Sequence, residues 1–98
     1  MIRHLLLIRF KPDTSTSQIQ QVRQAFEHIP NNIEGICSLE WGTNDSPEDK
    51  NNGFTHSVLM TFENETARQH YLPHPEHLKL KQIFRPVLDD IIVFDYQV

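Results

Sequence analysis

The chain has 98 residues, of which 38% are apolar, and its 13 acidic and 9 basic residues give a net charge of −4 with neutral histidine. This length predicts one domain, residues 1–98, with a single modest core. The basic residues are scattered, which argues against a nucleic-acid partner. There is no apolar run of about 18 residues for a membrane span. The lack of a signal-peptide pattern and the single Cys37 lead us to expect a cytoplasmic protein.

Residues 2–11 predict the first strand, with apolar residues on both of its faces. The even positions include His4, Leu6 and Ile8, and the odd positions carry Leu5 and Leu7. A strand that alternates between two apolar sets is typical of a sheet covered on both sides. The sequence therefore predicts partners for both faces of this strand.

The segment that begins at Ser15 predicts the first helix. Ser15 and Gln18 have the spacing of a capping box. Val22, Phe26 and Ile29 then recur at intervals of three and four, which indicates one buried stripe. The sequence Pro-Asn-Asn at 30–32 predicts the end of this helix.

Two further strands are predicted around a polar loop at 43–53. In the first, 36–42, alternation places Cys37 on one face with Leu39 and Trp41, so we interpret Cys37 as a small buried hydrophobic residue. The second, 54–62, has His56 and Val58 among its apolar even positions.

The last third of the chain predicts two short helices and a closing strand. Asn64 is a suitable cap for a helix that runs through about Tyr71. Pro75 suits the first turn of a second helix, whose apolar stripe includes His77. Residues 91–96 predict the fourth strand.

This βαββαβ order predicts an α+β, ferredoxin-like fold with a four-stranded antiparallel sheet. Helices cover one face of such a sheet. The other face is expected to carry five apolar side chains: Leu5, Leu7, Leu59, Ile91 and Val93. A bare apolar face of this kind indicates an interface, and a second copy of the sheet is the simplest cover. The predicted partner is therefore the chain itself, as a homodimer through the helix-free sheet face.

Four groups that carry protons point toward the predicted core: His4, His56, Tyr71 and His77. One interpretation is that they form hydrogen bonds with one another or with the backbone, so that they have only a structural role in a polar part of the core. The other is that they line a pocket in which histidine moves protons and tyrosine donates. The nearby set His70, His74 and His77 lacks a regular metal-ligand spacing, because Pro73 and Pro75 interrupt the helix, so we predict no metal site.

Several motifs resemble the stress-responsive α/β-barrel (Dabb) family over nearly the whole chain. The resemblance rests on residues 4–11, 40–42, 54–56 and 60–63, on the Tyr-Leu-Pro-His-Pro-Glu-His run at 71–77, and on the closing Phe-Asp-Tyr at 94–96. It implies that two ferredoxin-like sheets pack as a dimeric α/β barrel.

The plant polyketide cyclases of this family imply a function. By resemblance to these enzymes, His77 and Tyr71 are expected to be the catalytic residues of an intramolecular aldol condensation that needs no cofactor. The implied pocket for a small hydrophobic ligand is lined by His4, Leu6, Ile8, Val22, Phe26, His56, Val58 and Leu88. If the chain is an enzyme, it is then a cyclase or lyase. The alternatives are a non-catalytic, stress-associated dimer or a small barrel monooxygenase, and the latter is supported by the fold alone.

Overall fold

The order of strands and helices follows the sequence-based prediction. A computed structural model describes all of residues 1–98, and the elements are β1 (Ile2–Phe10), α1 (Thr16–Asn32), β2 (Ile36–Thr43), β3 (His56–Phe62), α2 (Glu65–Tyr71), α3 (Pro75–Phe84) and β4 (Leu88–Gln97). A short 3₁₀ turn, Arg85–Val87, joins α3 to β4. This confirms the ferredoxin-like α+β fold. None of the helices is both long and apolar enough to cross a membrane.

The four strands form one antiparallel sheet in the order β2-β3-β1-β4. β1 is therefore a central strand, and its residue His4 lies directly opposite Met60 of β3 and Asp95 of β4. The even-numbered side of β1 faces the helices, where Leu6 and Ile8 are buried. The core is thus a single layer between the sheet and α1, α2 and α3.

Local sequence signals determine where the helices begin. The Ser15 hydroxyl accepts from the backbone N–H of Gln18, and the Gln18 side chain accepts from the N–H of Ser15, so the capping box is formed. The side chain of Asn64 accepts from the N–H of Ala67 at the start of α2. Pro75 is the first residue of α3, where its missing N–H removes no helical hydrogen bond.

The prediction that Cys37 is buried is wrong. A bulge between Ile36 and Ser38 interrupts the pairing of β2 with β3, and Cys37 is exposed. Leu39 and Trp41, beyond the bulge, still lie opposite the core residues Met60 and Val58. A bulge shifts the alternation of side chains by one residue, which simple period-two reasoning does not anticipate.

The prediction for β4 placed the wrong residues on the helix-free face. Ile91 lies opposite Ile8 and Val93 opposite Leu6, so both belong to the side that faces the helices. Ile92 and Phe94, opposite Leu7 and Leu5, lie on the helix-free face instead. That face therefore carries Leu5, Leu7, Leu59, Ile92 and Phe94.

The starts of two strands also differ from the prediction. β3 begins at His56 rather than at residue 54, although the N–H of Thr55 still bonds to the carbonyl of Ile8. β4 begins at Leu88, three residues earlier than predicted, because a register shift between Arg9 and Phe10 lets Phe10 pair with Leu88. This early start brings Leu88 and Ile91 next to the end of α3.

Candidate functional site

Tyr71 and His77 meet where α2 ends and α3 begins. Tyr71 is the last residue of α2, and His77 lies in the first turn of α3. The side chain of His74 caps α3 by accepting from the N–H of Glu76 at 3.1 Å, which fixes the start of that helix. The two rings lie close together, with 4.1 Å between their centroids and 32° between their planes.

One hydrogen bond sets the proton position on His77. Its Nδ1 lies 2.9 Å from the carbonyl oxygen of Leu72. A carbonyl can only accept, so Nδ1 carries the hydrogen and donates it. In the neutral ring, Nε2 is then left with a free lone pair, as a general base requires.

The hydroxyl of Tyr71 is also available for chemistry. Its side chain is 2% exposed and packs against Phe62 and the ring of His4. No buried polar side-chain atom in the structure lacks a hydrogen-bond partner. The Tyr71 hydroxyl forms no hydrogen bond to the protein, so its oxygen must keep some exposed surface, and Tyr71 is a lining residue of the cavity described below.

A charged network holds the ring of His4. Its Nδ1 lies 2.6 Å from Oδ1 of Asp95, directly across the strand pair. The other oxygen of Asp95 accepts from Arg68 of α2 at 3.1 Å, and Arg68 also pairs with Glu65. Since the carboxylate accepts from Nδ1, the remaining nitrogen of His4, Nε2, lies on the side of the ring away from Asp95.

These three side chains line one cavity of about 340 Å³ between α3, the end of α2 and the sheet. This volume falls in the range of small-molecule sites. Nine lining residues are apolar or aromatic: Leu6, Phe26, Tyr71, Leu72, Leu80, Phe84, Leu88, Ile91 and Val93. The other four are His4, His77, Lys81 and Arg85. The arrangement suits an apolar ligand that presents a reactive polar group to Tyr71 and His77.

The structure brings together six of the ten residues expected at the site. Tyr71, His77, His4, Leu6, Phe26 and Leu88 all line the cavity. Ile8, Val22 and Val58 do not, because they are packed in the core with at most 1% of their surface exposed.

His56 lies away from this cavity. It pairs with Ile8 at the far end of β1 and packs between the rings of Phe10 and Trp41. Its Nδ1 lies 2.8 Å from the hydroxyl of Thr55. It lines a separate small depression with residues of the 43–57 segment. The structure therefore separates His56 from Tyr71 and His77.

Sequence reasoning missed four polar residues that shape the site. Lys81 and Arg85 line the cavity, and Asp95 and Arg68 hold His4. Charged residues on a surface helix are common, so no periodicity singled out Lys81 or Arg85. Asp95 could be found only from the pairing register of β1 with β4.

The histidines at 70, 74 and 77 do not come together. His74 is used as the cap of α3, His77 faces the cavity, and His70 is exposed. No group of three or more histidine, cysteine or acidic side chains is arranged to hold a metal ion.

Burial at the cavity shifts the pKa values of both His77 and Tyr71. Burial lowers the pKa of His77 below its usual 6.5; the bond to the Leu72 carbonyl opposes this, and the charges of Lys81, His4 and Arg85 add to the lowering. Burial raises the pKa of the Tyr71 hydroxyl well above its usual range. At neutral pH, His77 is therefore a neutral base and Tyr71 a protonated donor.

The lowered pKa values of two histidines predict that the protein loses stability in mild acid. Burial lowers the pKa values of both His56 and His77, so near pH 6 the unfolded chain binds more protons than the folded one. The free energy of unfolding should therefore fall as the pH drops below about 6.5. Thermal unfolding at pH 7.5 and 5.5 measures this, and His77→Gln should show a smaller drop. A melting temperature that rises toward pH 5.5 contradicts the prediction.

Comparison with known proteins identifies the family. The model of the "Stress responsive A/B Barrel Domain" (Dabb) matches residues 2–98. The chain belongs to this family. Among its relatives, stress-response A/B barrel domain-containing protein HS1 of Arabidopsis thaliana is 33% identical over 96 residues, covering 98% of this chain and 88% of that protein. Olivetolic acid cyclase of Cannabis sativa is 27% identical over 95 residues, covering 97% and 94%.

Solved structures of related proteins agree with the family and with the fold. A hydroxynitrile lyase from Passiflora edulis superimposes with a TM-score of 0.92 at 28% identity, covering 99% of this chain and 92% of that one. A protein from Bacteroides fragilis, described as dimeric, ferredoxin-like and of unknown function, gives a TM-score of 0.77 at 22% identity, covering 99% and 95%. Its similarity shows the shared fold. The proteins that are similar to this chain thus include one named as a cyclase and one named as a lyase.

Proposed function

We propose that the protein is a cofactor-independent enzyme that performs acid/base chemistry on a carbonyl compound, in the manner of a polyketide cyclase. The observation that carries this proposal is the pairing of a neutral His77, whose Nε2 is free, with a Tyr71 hydroxyl that has no protein partner, in one apolar cavity of about 340 Å³. A purely structural pair would be expected to satisfy these groups within the chain. The names of two relatives, a cyclase and a lyase, agree with such chemistry.

The proposed reaction is an intramolecular aldol condensation. Nε2 of His77 takes a proton from a methylene group that lies between two carbonyls of a linear polyketide thioester. The resulting enolate carbon attacks a more distant carbonyl of the same chain, so that one carbon–carbon bond forms and the carbonyl oxygen gains the negative charge. The hydroxyl of Tyr71 donates a hydrogen bond and then a proton to that oxygen. His77 returns its proton to the tyrosinate, which restores both groups, and loss of water from the resulting β-hydroxy carbonyl adduct completes the condensation.

His4 contributes position rather than proton transfer in this proposal. The Asp95 carboxylate, held in turn by Arg68, fixes the orientation of the His4 ring. That ring lies edge-on to Tyr71, with 6.1 Å between the centroids. A fixed wall next to Tyr71 limits the poses of the carbonyl that Tyr71 polarises.

A turnover assay with Tyr71→Phe tests this function. The wild-type protein should convert a linear tetraketide thioester to a cyclic product with no added metal or cofactor. Tyr71→Phe keeps the ring and its packing but removes the hydroxyl, so kcat should fall by about 10- to 100-fold. Chromatography of the products measures the rate. A wild-type protein that forms no cyclic product faster than buffer does, or a fully active Tyr71→Phe variant, contradicts the proposal.

We also propose that the active form is a homodimer joined through the helix-free face of the sheet. This face carries Leu5, Leu7, Leu59, Ile92 and Phe94, and Ile92 and Phe94 are 43% and 59% exposed in the single chain. Contiguous exposed apolar side chains mark an interface. The description of the Bacteroides fragilis protein as dimeric supports this proposal.

A further inference from the structure

The polar lining of the cavity has one sign of charge. The chain has 13 acidic residues, yet none of them lines the cavity. The charged lining residues are Lys81 and Arg85, and both are basic. In a chain of net charge −4, this local excess of positive charge needs a reason.

Lys81 and Arg85 lie one helical turn apart and are not used by the protein itself. Neither forms an ion pair or a side-chain hydrogen bond. By contrast, Lys79 of the same helix pairs with Glu76 at 3.2 Å, and Arg68 pairs with Glu65 and Asp95. Two like charges at positions i and i+4 repel each other. A bound anion would offset this repulsion.

The solvent-facing part of the cavity, its entrance, includes Lys81 and Arg85 together with the exposed apolar residues Leu72 and Val93. Lys81 is half-buried and Arg85 is exposed, whereas Tyr71 and His77 are buried. The wall between them is apolar and includes Leu80 and Phe84. A ligand that reaches Tyr71 and His77 can therefore hold an anionic group at the two basic residues of the entrance while its apolar body lies along this wall.

We infer that the natural ligand is an amphipathic anion, whose apolar body fills the cavity and whose anionic group binds Lys81 and Arg85. This inference rests on the proposed function, because it names the ligand class of the same site. It assigns Lys81 and Arg85 as residues that determine specificity rather than as catalytic residues. It also separates the two ends of the ligand: the anionic group stays at the entrance, and the reactive carbonyl lies at Tyr71.

Such a ligand would change the basicity of His77. After burial, the charge of Lys81 is the largest influence that lowers the pKa of His77, and Arg85 acts in the same direction. A bound anion at these two residues cancels part of their field, so the pKa of His77 rises toward its usual value. His77 thus becomes a stronger base when the ligand is in place.

The position of these residues near the end of α3 offers a purely structural alternative. Basic side chains near a helix C-terminus interact favourably with the helix dipole. This role predicts a lower melting temperature on neutralisation, but it predicts no preference for anionic ligands. The two roles can therefore be separated by measuring both quantities on the same variants.

Two ligands that differ only in charge test the inference. 4-Pentylbenzoate and 4-pentylbenzamide have nearly the same shape, and isothermal calorimetry gives their Kd values for the full chain at low salt. The wild-type protein should bind the benzoate about 5-fold or more tightly than the benzamide. The double variant Lys81→Gln/Arg85→Gln should bind both equally. Lys79→Gln, on the same helix but outside the cavity, should keep the wild-type preference.

An NMR titration of His77 adds an independent measurement. The pKa of His77 should rise when 4-pentylbenzoate is bound and should rise less with 4-pentylbenzamide. In the double variant the two ligands should give the same pKa.

The inference is overturned if the wild-type protein binds neither ligand, binds both equally, or if the double variant keeps the preference with only a lower melting temperature. These binding measurements involve no turnover. A protein that prefers the benzoate but cyclises no tetraketide refutes the proposed function and leaves the inference standing.

Discussion

Replacing His77 with glutamine should lower kcat for tetraketide cyclisation by about 10²-fold or more, while the protein still folds. The side-chain amide of glutamine can donate to the Leu72 carbonyl, as Nδ1 of His77 does at 2.9 Å. The amide has no basic lone pair that could take the place of Nε2. The expected loss is larger than for Tyr71→Phe, because proton removal starts the reaction, whereas the tyrosine hydroxyl stabilises charge that develops later.

A matched control for this variant is His70→Gln. His70 lies one residue before Tyr71, is exposed and does not line the cavity. It should keep wild-type kcat, so general effects of a histidine-to-glutamine change are separated from loss of the base. Circular dichroism and the melting temperature report whether His77→Gln folds. If His77→Gln and His70→Gln have the same kcat, His77 is not the base.

The pH profile of the wild-type enzyme gives a second view of the same residue. Because burial lowers the pKa of His77, the base is still mostly deprotonated at pH 6.5. The fall of kcat/KM on the acid side of the profile should therefore be centred below pH 6.5. This limb should be absent from the residual activity of His77→Gln. The lower stability in mild acid acts in the same pH range, so rates are measured within the time that the protein stays folded.

Periodicity alone predicts that Tyr71 and His77 both face the core, whereas their proposed catalytic roles come from the family resemblance. His77 lies on the stripe of α3 with the buried residues Leu80 and Phe84, and Tyr71 is buried at the end of α2. A stripe determines which face a residue occupies, and that was sufficient here. The two prolines and the cap at His74 then determine how the two stripes meet.

Periodicity was not sufficient for His56. It lies on the same face of the sheet as His4, as predicted, but it pairs with Ile8 and not with a residue near His4. Four residues along a strand correspond to about 13 Å. Alternation determines the face and says nothing of the distance along the strand, so His56 was expected at a cavity that it does not reach.

The fourth strand shows a different limit of sequence reasoning. Residues 91–94 are Ile-Ile-Val-Phe, so both faces of this segment are apolar and alternation cannot assign either one. Pairing with β1 decides the matter, because residues directly opposite each other lie on the same face. The result places Ile91 and Val93 at the cavity, and it moves Ile92 and Phe94 to the proposed dimer interface.

That register makes Phe94 the residue whose substitution should most disturb the dimer. Phe94 is 59% exposed in the single chain and lies opposite Leu5, which in turn lies opposite Leu59. In a two-fold dimer each substitution occurs twice, so Phe94→Glu removes two apolar side chains and places two carboxylates at the interface. The loss of apolar burial is about 1.5–3 kcal/mol per phenylalanine, and desolvation of the unpaired charges adds to it. Light scattering should therefore give two chains for the wild-type protein at micromolar concentration and one chain for Phe94→Glu.

A matched control lies on the other side of the molecule. Leu78 on α3 is 48% exposed but lies away from the helix-free face, so Leu78→Glu should remain a dimer. Comparing the two variants separates the loss of a specific interface from the general effect of added negative charge. If the wild-type protein has the mass of one chain, or if Leu78→Glu dissociates while Phe94→Glu does not, the helix-free face is not the interface. If Phe94→Glu is monomeric as expected, its activity shows whether the cavity needs the second copy. The cavity lies within one chain, on the opposite face of the sheet.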